Sequence, residues 1–244
     1  MRVVVFGAAG PTGELLVRQA LAWGLEVVAV TRRAGAYPLS HDRLAVARAD
    51  ATDPSQVEAA VAGADAVVSV LGTRYSREPI TLYSTSARAI IAAMSRHGVR
   101  RLVVTSSSAA NPWVDPGWSW IERNVARRIL DRLGATLYED MRRMEQIVRA
   151  SNLEWTIMRP LGLANMEAPT QYAVQVDHIA GKQTARRDLA AAILDELTPA
   201  APDAQAHVGK CVAVATTNKT VSLPATIWRE GIRPKLPTRF RAQH

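Results

Sequence analysis

The chain has 244 residues, 48% of them hydrophobic, enough for one well-buried domain or one domain with a small appendage. Its lone cysteine, Cys211, excludes an intramolecular disulfide and a cysteine cluster for zinc, and no apolar run approaches the roughly 20 residues that cross a bilayer. The formal charge of +8 suits nucleic acid, a membrane surface or an anionic ligand, but most basic residues alternate with acids, as in Asp140-Met141-Arg142-Arg143-Met144-Glu145, the pattern of a solvated helix face.

Val3-Val4-Val5-Phe6 is a short apolar run rich in β-branched residues and reads as a buried first strand. It follows Met1 so closely that no signal peptide is expected. Gly7-Ala8-Ala9-Gly10-Pro11-Thr12-Gly13 comes next, and then Leu15, Leu16, Ala20 and Trp23 at helical spacing. Strand, glycine loop and helix in this order raise the motif above a chance run of glycines. Glycines let backbone approach a ligand with no Cβ in the way. The helix N-terminus offers N–H groups and partial positive charge to a pyrophosphate. The spacing is G-x-x-G-x-x-G, not the commoner G-x-G-x-x-G; a glycine-rich turn without ligand is the alternative.

Gly24 fits the end of the first helix. Glu26 to Val30 reads as the second strand and Leu44 to Arg48 as a weaker third. Asp53-Pro54-Ser55-Gln56 starts a helix with an N-cap Asp, Pro at the first position and Gln where a capping box wants it; that helix ends near Gly63. Ala66 to Leu71 is a fourth strand. Pro79 to His97 is a long helix with Ile90, Ile91 and Met94 inward, closed by Gly98, and Arg101 to Thr105 a fifth strand. Helices follow at about 119–131 and 137–150. A strand from Leu153 to Met158, a helix from Arg187 to Leu197 and a last strand from Lys210 to Ala215 complete the pattern. Alternating strands and helices predict parallel strands with right-handed crossovers and helices on both faces. Ligands of such sheets lie at the carboxyl ends of the strands, near the reversal of strand order.

The residues after each strand then suggest which ligand. The second strand ends in Thr31-Arg32-Arg33, where an NAD site usually carries an acid for the ribose hydroxyls. A guanidinium suits a phosphate dianion, so Arg32 and Arg33 point to the 2′-phosphate of NADP(H); two surface arginines are the alternative. Asp50-Ala51 follows the third strand, with Asp50 either accepting from an adenine amino group or ending the strand in a turn. Leu71-Gly72 ends the fourth, where glycine permits close approach to a ribose. Ser106, Ser107 and Ser108 end the fifth. Ser107 and Ser108 either orient the carboxamide or acceptor oxygen, or cap the next element. Trp113, Trp118 and Trp120 offer a flat apolar wall for a planar substrate, Trp113 and Trp118 above all, or pack against the following helix or a second subunit. Pro160 and Leu161 end the sixth strand beside the expected nicotinamide position. No grouping of His41, His97, His178 and His207 suggests a metal.

Taken in order, these stretches resemble the atypical short-chain dehydrogenase/reductase group, in particular the NAD(P)H-binding proteins similar to biliverdin-IXβ/flavin reductase and NmrA-like proteins. The resemblance is carried by Gly7 to Gly13; Asp50 with Asp53; Val70-Leu71-Gly72; Val103 to Ser108; Met144-Glu145-Gln146-Ile147; Ser151 to Pro160; Arg187-Asp188-Leu189-Ala190; and Gly209-Lys210. It implies an α/β, doubly wound, mostly parallel sheet (a Rossmann fold) binding NADPH, with a small C-terminal substrate lobe at about 160–185. Residues 1–223 then form one NAD(P)-binding domain and 224–244 a basic tail. The tail's Arg229, Arg233, Lys235, Arg239 and Arg241 face only Glu230; it reads as an extended surface segment, with polyanion binding as an alternative.

The departure is catalytic. Typical members use Tyr-x-x-x-Lys, the lysine lowering the tyrosine pKa for proton transfer. Lysine occurs here only at Lys182, Lys210, Lys219 and Lys235, none with tyrosine four residues before it. Tyr138 and Arg142 have the spacing with a cation that does not shuttle protons, and matching Glu145 to the family's glutamate places the tyrosine position on Leu137. The expectation is an NADPH-dependent oxidoreductase that positions a small planar acceptor (flavin, tetrapyrrole or quinone-like), or else a non-catalytic NADP(H)-binding sensor of the NmrA kind. Either is expected to be a cytoplasmic monomer or homodimer with a small-molecule partner, without membrane or nucleic acid.

Overall fold

Val3 and Val5 of β1 (Arg2–Phe6) pack into one core and Val4 and Phe6 into another, and all four are buried. A strand apolar on both faces must be covered on both sides. The computed structural model describes residues 1–33, 35–111, 120, 124, 134–166, 170–197 and 206–217. Its strands are β1, β2 (Glu26–Thr31), β3 (Leu44–Arg48), β4 (Ala66–Ser69), β5 (Arg101–Thr105), β6 (Glu154–Pro160), β7 (Gly162–Ala164), β8 (Tyr172–Val176), β9 (Gln183–Ala185) and β10 (Lys210–Thr216). Eight form one sheet in the order β3-β2-β1-β4-β5-β6-β10-β8. All neighbours run parallel except β8, which lies antiparallel on β10. The chain moves outward from β1 to β3, then returns to β1's other side as β4, so strand order reverses between β1 and β4.

Helices α1 (Pro11–Ala22) and α5 (Arg186–Asp195) cover one face, with Leu16, Val17, Leu189 and Ile193 against Val5, Val68, Met158 and Val212. Helices α2 (Pro54–Val61), α3 (Leu82–His97) and α4 (Ala135–Arg149) cover the other, with Val57, Ile90, Met94 and Met144 against Val4, Val67, Val104 and Ile157. This is the expected doubly wound, mostly parallel Rossmann sheet. Strands β3 and β5 keep their predicted bounds. Asp53 caps α2 as predicted, accepting from the N–H groups of Ser55 and Gln56.

The differences have local causes. β4 stops at Ser69 rather than Leu71, because its partner β1 turns away at Gly7; Val70 N–H donates to Phe6 O as the last bond of that ladder. The long helix begins at Leu82 rather than Pro79. Thr81 brings no side-chain cap, and the buried Asp140 of α4 accepts from Tyr83 N–H at 2.8 Å and Ser84 N–H at 3.3 Å, which fixes the first turn there. Residues 160–185 carry three strands that the sequence reading did not assign. β7 and β9 pair in parallel as a separate ribbon, and β8 extends the main sheet as an edge strand. The helix expected at about 119–131, the substrate residues Trp113 and Trp118, and the basic tail lie outside the described residues, apart from Trp120 and Asn124, which are helical.

Candidate functional site

The glycine loop folds back on itself so tightly that two of its glycines have no alternative. Gly7 has φ +84°, and a Cβ there would lie 2.7 Å from Val70 O; at Gly13 it would lie 2.2 Å from Gly7 O. Gly10 N–H donates to Gly7 O at 2.9 Å, and Glu14 N–H to Gly10 O. Gly10 is the N-cap of α1 and has no side chain to cap it, while Pro11 has no N–H to satisfy. The N–H groups of Thr12 and Gly13 therefore form an uncapped, partly positive helix end. It opens at the carboxyl edge of β1, where strand order reverses. Tyr37, missed in the sequence, braces this loop by donating from its hydroxyl to Ala8 O at 3.0 Å. Burial, then the nearby Glu14 carboxylate, pushes its phenol up to about 12, so it is a permanent donor.

The neighbouring strands bring their predicted residues to the same edge. Arg32 and Arg33 are exposed beyond β2. Arg32 Nη1 lies 3.6 Å from Asp50 Oδ2, an exposed pair worth about 0.5 kcal/mol. Asp50 Oδ1 accepts from Thr52 N–H and Thr52 Oγ1. These bonds hold its carboxyl below the usual range, with Arg32 adding to the effect. Of the two readings of Asp50, the turn is thus present in the fold, and Ala51 is buried beneath it. Beyond β4, Leu71 is half-buried and Gly72 exposed, and a Cβ on Gly72 would meet open space.

At the end of β5, Ser107 accepts from Ala109 N–H at 3.2 Å and caps a 3-10 turn, Ser108–Ala110. Among the described residues, Thr105 Oγ1 and Ser106 Oγ are buried there without a hydrogen-bond partner. Buried hydroxyls left so are uncommon and point to a missing ligand or water. Tyr138 is buried, its hydroxyl 3.0 Å from that of Tyr75, and burial raises its pKa far above neutrality. Arg142 donates to Ala110 O at 3.1 Å, and no hydrogen bond joins it to Tyr138 among the described residues. The spacing of Tyr138 and Arg142 thus yields no tyrosine–cation pair. At the end of β6, Pro160 is buried and Leu161 N–H donates to Thr184 Oγ1 at 2.9 Å. Behind them Arg159 makes a buried two-pronged pair with Glu145, at 3.0 and 2.6 Å. Burial opposes the charge on Arg159, but the bonds and charge of Glu145 outweigh it and its pKa rises.

An NAD(P)H-binding family profile matches residues 7–199, from the first loop glycine past α5. The chain belongs to this NAD(P)H-binding family. An uncharacterized Mycobacterium tuberculosis protein is 28% identical over 207 residues, 83% of this chain and 21% of that protein. The NAD(P)H-binding chain therefore spans about a fifth of the length of its mycobacterial relatives. An uncharacterized chloroplastic protein of Arabidopsis thaliana is 28% identical over 203 residues, 80% of this chain and 71% of that one. Among solved structures, a Veillonella parvula short-chain dehydrogenase/reductase in complex with NADP superposes with a TM-score of 0.69 at 21% identity, covering 88% of this chain and 94% of that one. The anaerobillin reductase ChuY of Escherichia coli O157:H7 gives 0.67 at 21%, covering 91% and 100%. The expected cofactor class and the expected fold both agree with these findings. The residues fit a dinucleotide: a tight loop with glycines at 7, 10 and 13, an uncapped helix end for its phosphates, and two hydroxyls without a partner among the described residues further along the same edge. Among the described residues, no helix is long and apolar enough to cross a membrane.

Proposed function

We propose that this chain is an NADPH-dependent reductase that positions a small planar acceptor, of the flavin, tetrapyrrole or quinone kind, without a Tyr-Lys pair. The observation that carries the reading is the fate of the only pair with the right spacing: Tyr138 is buried against Tyr75, and Arg142 holds the turn after β5. A site without a tuned phenol suits acceptors that are already polarised, whose reduction asks the protein mainly for proximity and exclusion of water.

In this reading the Gly7–Gly13 loop holds the pyrophosphate, with Gly10, Pro11 and Thr12 forming its floor. Arg32 and Arg33 take the 2′-phosphate, Asp50 and Ala51 border the adenine, and Leu71 and Gly72 border the ribose. Ser106 lies along the nicotinamide half with Pro160 and Leu161, and Ser107 and Ser108 face the carboxamide or acceptor. The bound nicotinamide supplies the hydride, and the protein orients the acceptor and keeps competing water away. The acceptor's proton comes from solvent. Trp113 and Trp118 remain proposed as the acceptor's wall.

The test is NADPH consumption by purified protein against a panel of flavins, quinones and linear tetrapyrroles. Turnover with at least one planar acceptor supports the reading. Tight NADPH binding with no turnover on any of them assigns the chain to the sensor class instead.

A further inference from the structure

The segment between β4 and α3 is exposed from Gly72 to Pro79, yet it is tied down along its length. Thr73 N–H donates to Tyr83 Oη at 3.4 Å, Thr136 Oγ1 donates to Ser76 O at 2.9 Å, and Glu78 N–H donates to Ser76 Oγ at 3.0 Å. Tyr75 lies in the middle of these ties. Its hydroxyl is 3.0 Å from that of the buried Tyr138 in α4, and the two rings meet edge to face with centroids 6.4 Å apart and planes at 65°. Tyr75 nevertheless keeps 42% of its surface open. With the hydroxyl engaged by Tyr138, an aromatic ring of fixed position remains exposed. A ring held in place before any ligand arrives offers contact area at little further entropic cost. Its place in the fold is the carboxyl edge of the sheet, just beyond β4 and Gly72. The same helix α4 holds the turn after β5, where Arg142 donates to Ala110 O. Tyr75 and the Ser108–Ala110 turn are thus fixed by one helix at the ends of the neighbouring strands β4 and β5.

We propose that Tyr75 is a specificity-determining residue for the acceptor: Tyr138 presets its ring as a wall on which a planar acceptor packs beside the nicotinamide. The proposal rests on the reading of the chain as a reductase of planar acceptors. The ring makes the contact, and the bond between the two hydroxyls positions it. Contact with an aromatic face grows with the conjugated area laid on it, so an extended flavin or tetrapyrrole gains more from Tyr75 than a small quinone does. The cofactor's own contacts stay with the glycine loop, Arg32 and Arg33.

The experiment uses the full chain with NADPH as donor and flavin mononucleotide, menadione and biliverdin as probes. It measures kcat and KM for each probe that turns over, and the NADPH dissociation constant by titration, with thermal midpoints as a folding control. Tyr75→Ala is expected to raise the flavin or tetrapyrrole KM about tenfold or more, as for loss of a stacking platform, and to change the NADPH constant by less than about twofold. Tyr75→Phe keeps the ring and should stay within about threefold of the wild-type KM. Tyr75→Ala also leaves the buried Tyr138 hydroxyl without its partner. The double variant Tyr75→Ala/Tyr138→Phe removes that hydroxyl, and the same rise in KM is expected of it. An unchanged KM in both alanine variants, an equal loss of NADPH binding, or the same rise in Tyr75→Phe overturns the assignment and leaves the reductase reading standing. If the wild type reduces none of the probes, the reductase reading itself fails, and the role of Tyr75 falls with it.

Discussion

Arg32 and Arg33 look alike in the sequence, yet the structure sets them apart. Arg32 already faces Asp50 at 3.6 Å, and Asp50 is itself occupied by Thr52. Arg33 makes no ion pair among the described residues, and only its N–H is tied, to Thr31 Oγ1 at 3.0 Å. A phosphate must compete with Asp50 for Arg32 but not for Arg33. Arg33→Ala is therefore expected to weaken NADPH about tenfold, and more than Arg32→Ala, with NADH nearly unchanged in both. Titration of the two variants with both cofactors checks this. The residue types that stand at the strand ends were legible because each strand end is a local signal; their roles toward a cofactor are proposed. Tyr37 and Arg186 were not legible, because their links to the loop at Ala8 and Thr12 come from folding together distant segments.

Elements whose boundaries are set by neighbours in sequence were read well, and those set at a distance were not. The start of α2 is local: Asp53 accepts from Ser55 and Gln56, and Gln56 donates back to its Oδ2. The bonds from the Ser55 side chain, then from Gln56, lower the Asp53 pKa in the folded state. The sign follows: the cap's contribution is full above the unfolded carboxylate value of about 3.9 and is lost as pH falls through the lower folded value. Amide exchange at Ser55 and Gln56 should be flat from neutral pH to about 4 after correction for intrinsic rates, and should accelerate only below it. The start of α3 is not local. Asp140 reaches it from α4, also accepting from Ser84 Oγ at 2.5 Å, so a cap search around Thr81 finds nothing. Asp140→Ala should destabilise by about 2 kcal/mol, the loss of a cap plus a buried hydroxyl left bare, read by urea denaturation. At α1 the logic inverts. Gly10→Asp places a capping carboxylate at the helix end, with its Cβ 3.2 Å from Gly7 O, and is expected to keep the chain folded, read by its melting temperature, while removing NADPH binding. That combination distinguishes an anion site from a poorly capped helix.

For the whole molecule, alternation of strand and helix was enough to give a doubly wound sheet, and the glycines mark the candidate site proposed on it. The region 160–185 resisted because its strands are short and mixed in polarity. Only pairing with β10 identifies Tyr172–Val176 as an edge strand. What remains to the chain as a whole is the choice between carrying a phosphorylated dinucleotide for reduction and carrying none in particular. Titration of the wild-type protein and the Arg32→Ala/Arg33→Ala double variant with NADPH and NADH addresses that choice most directly. The account predicts that the wild type binds NADPH at least about tenfold more tightly than NADH, and that the double variant loses this preference. Equal, millimolar-weak binding of both cofactors by the wild type, or a preference unchanged in the variant, would contradict it.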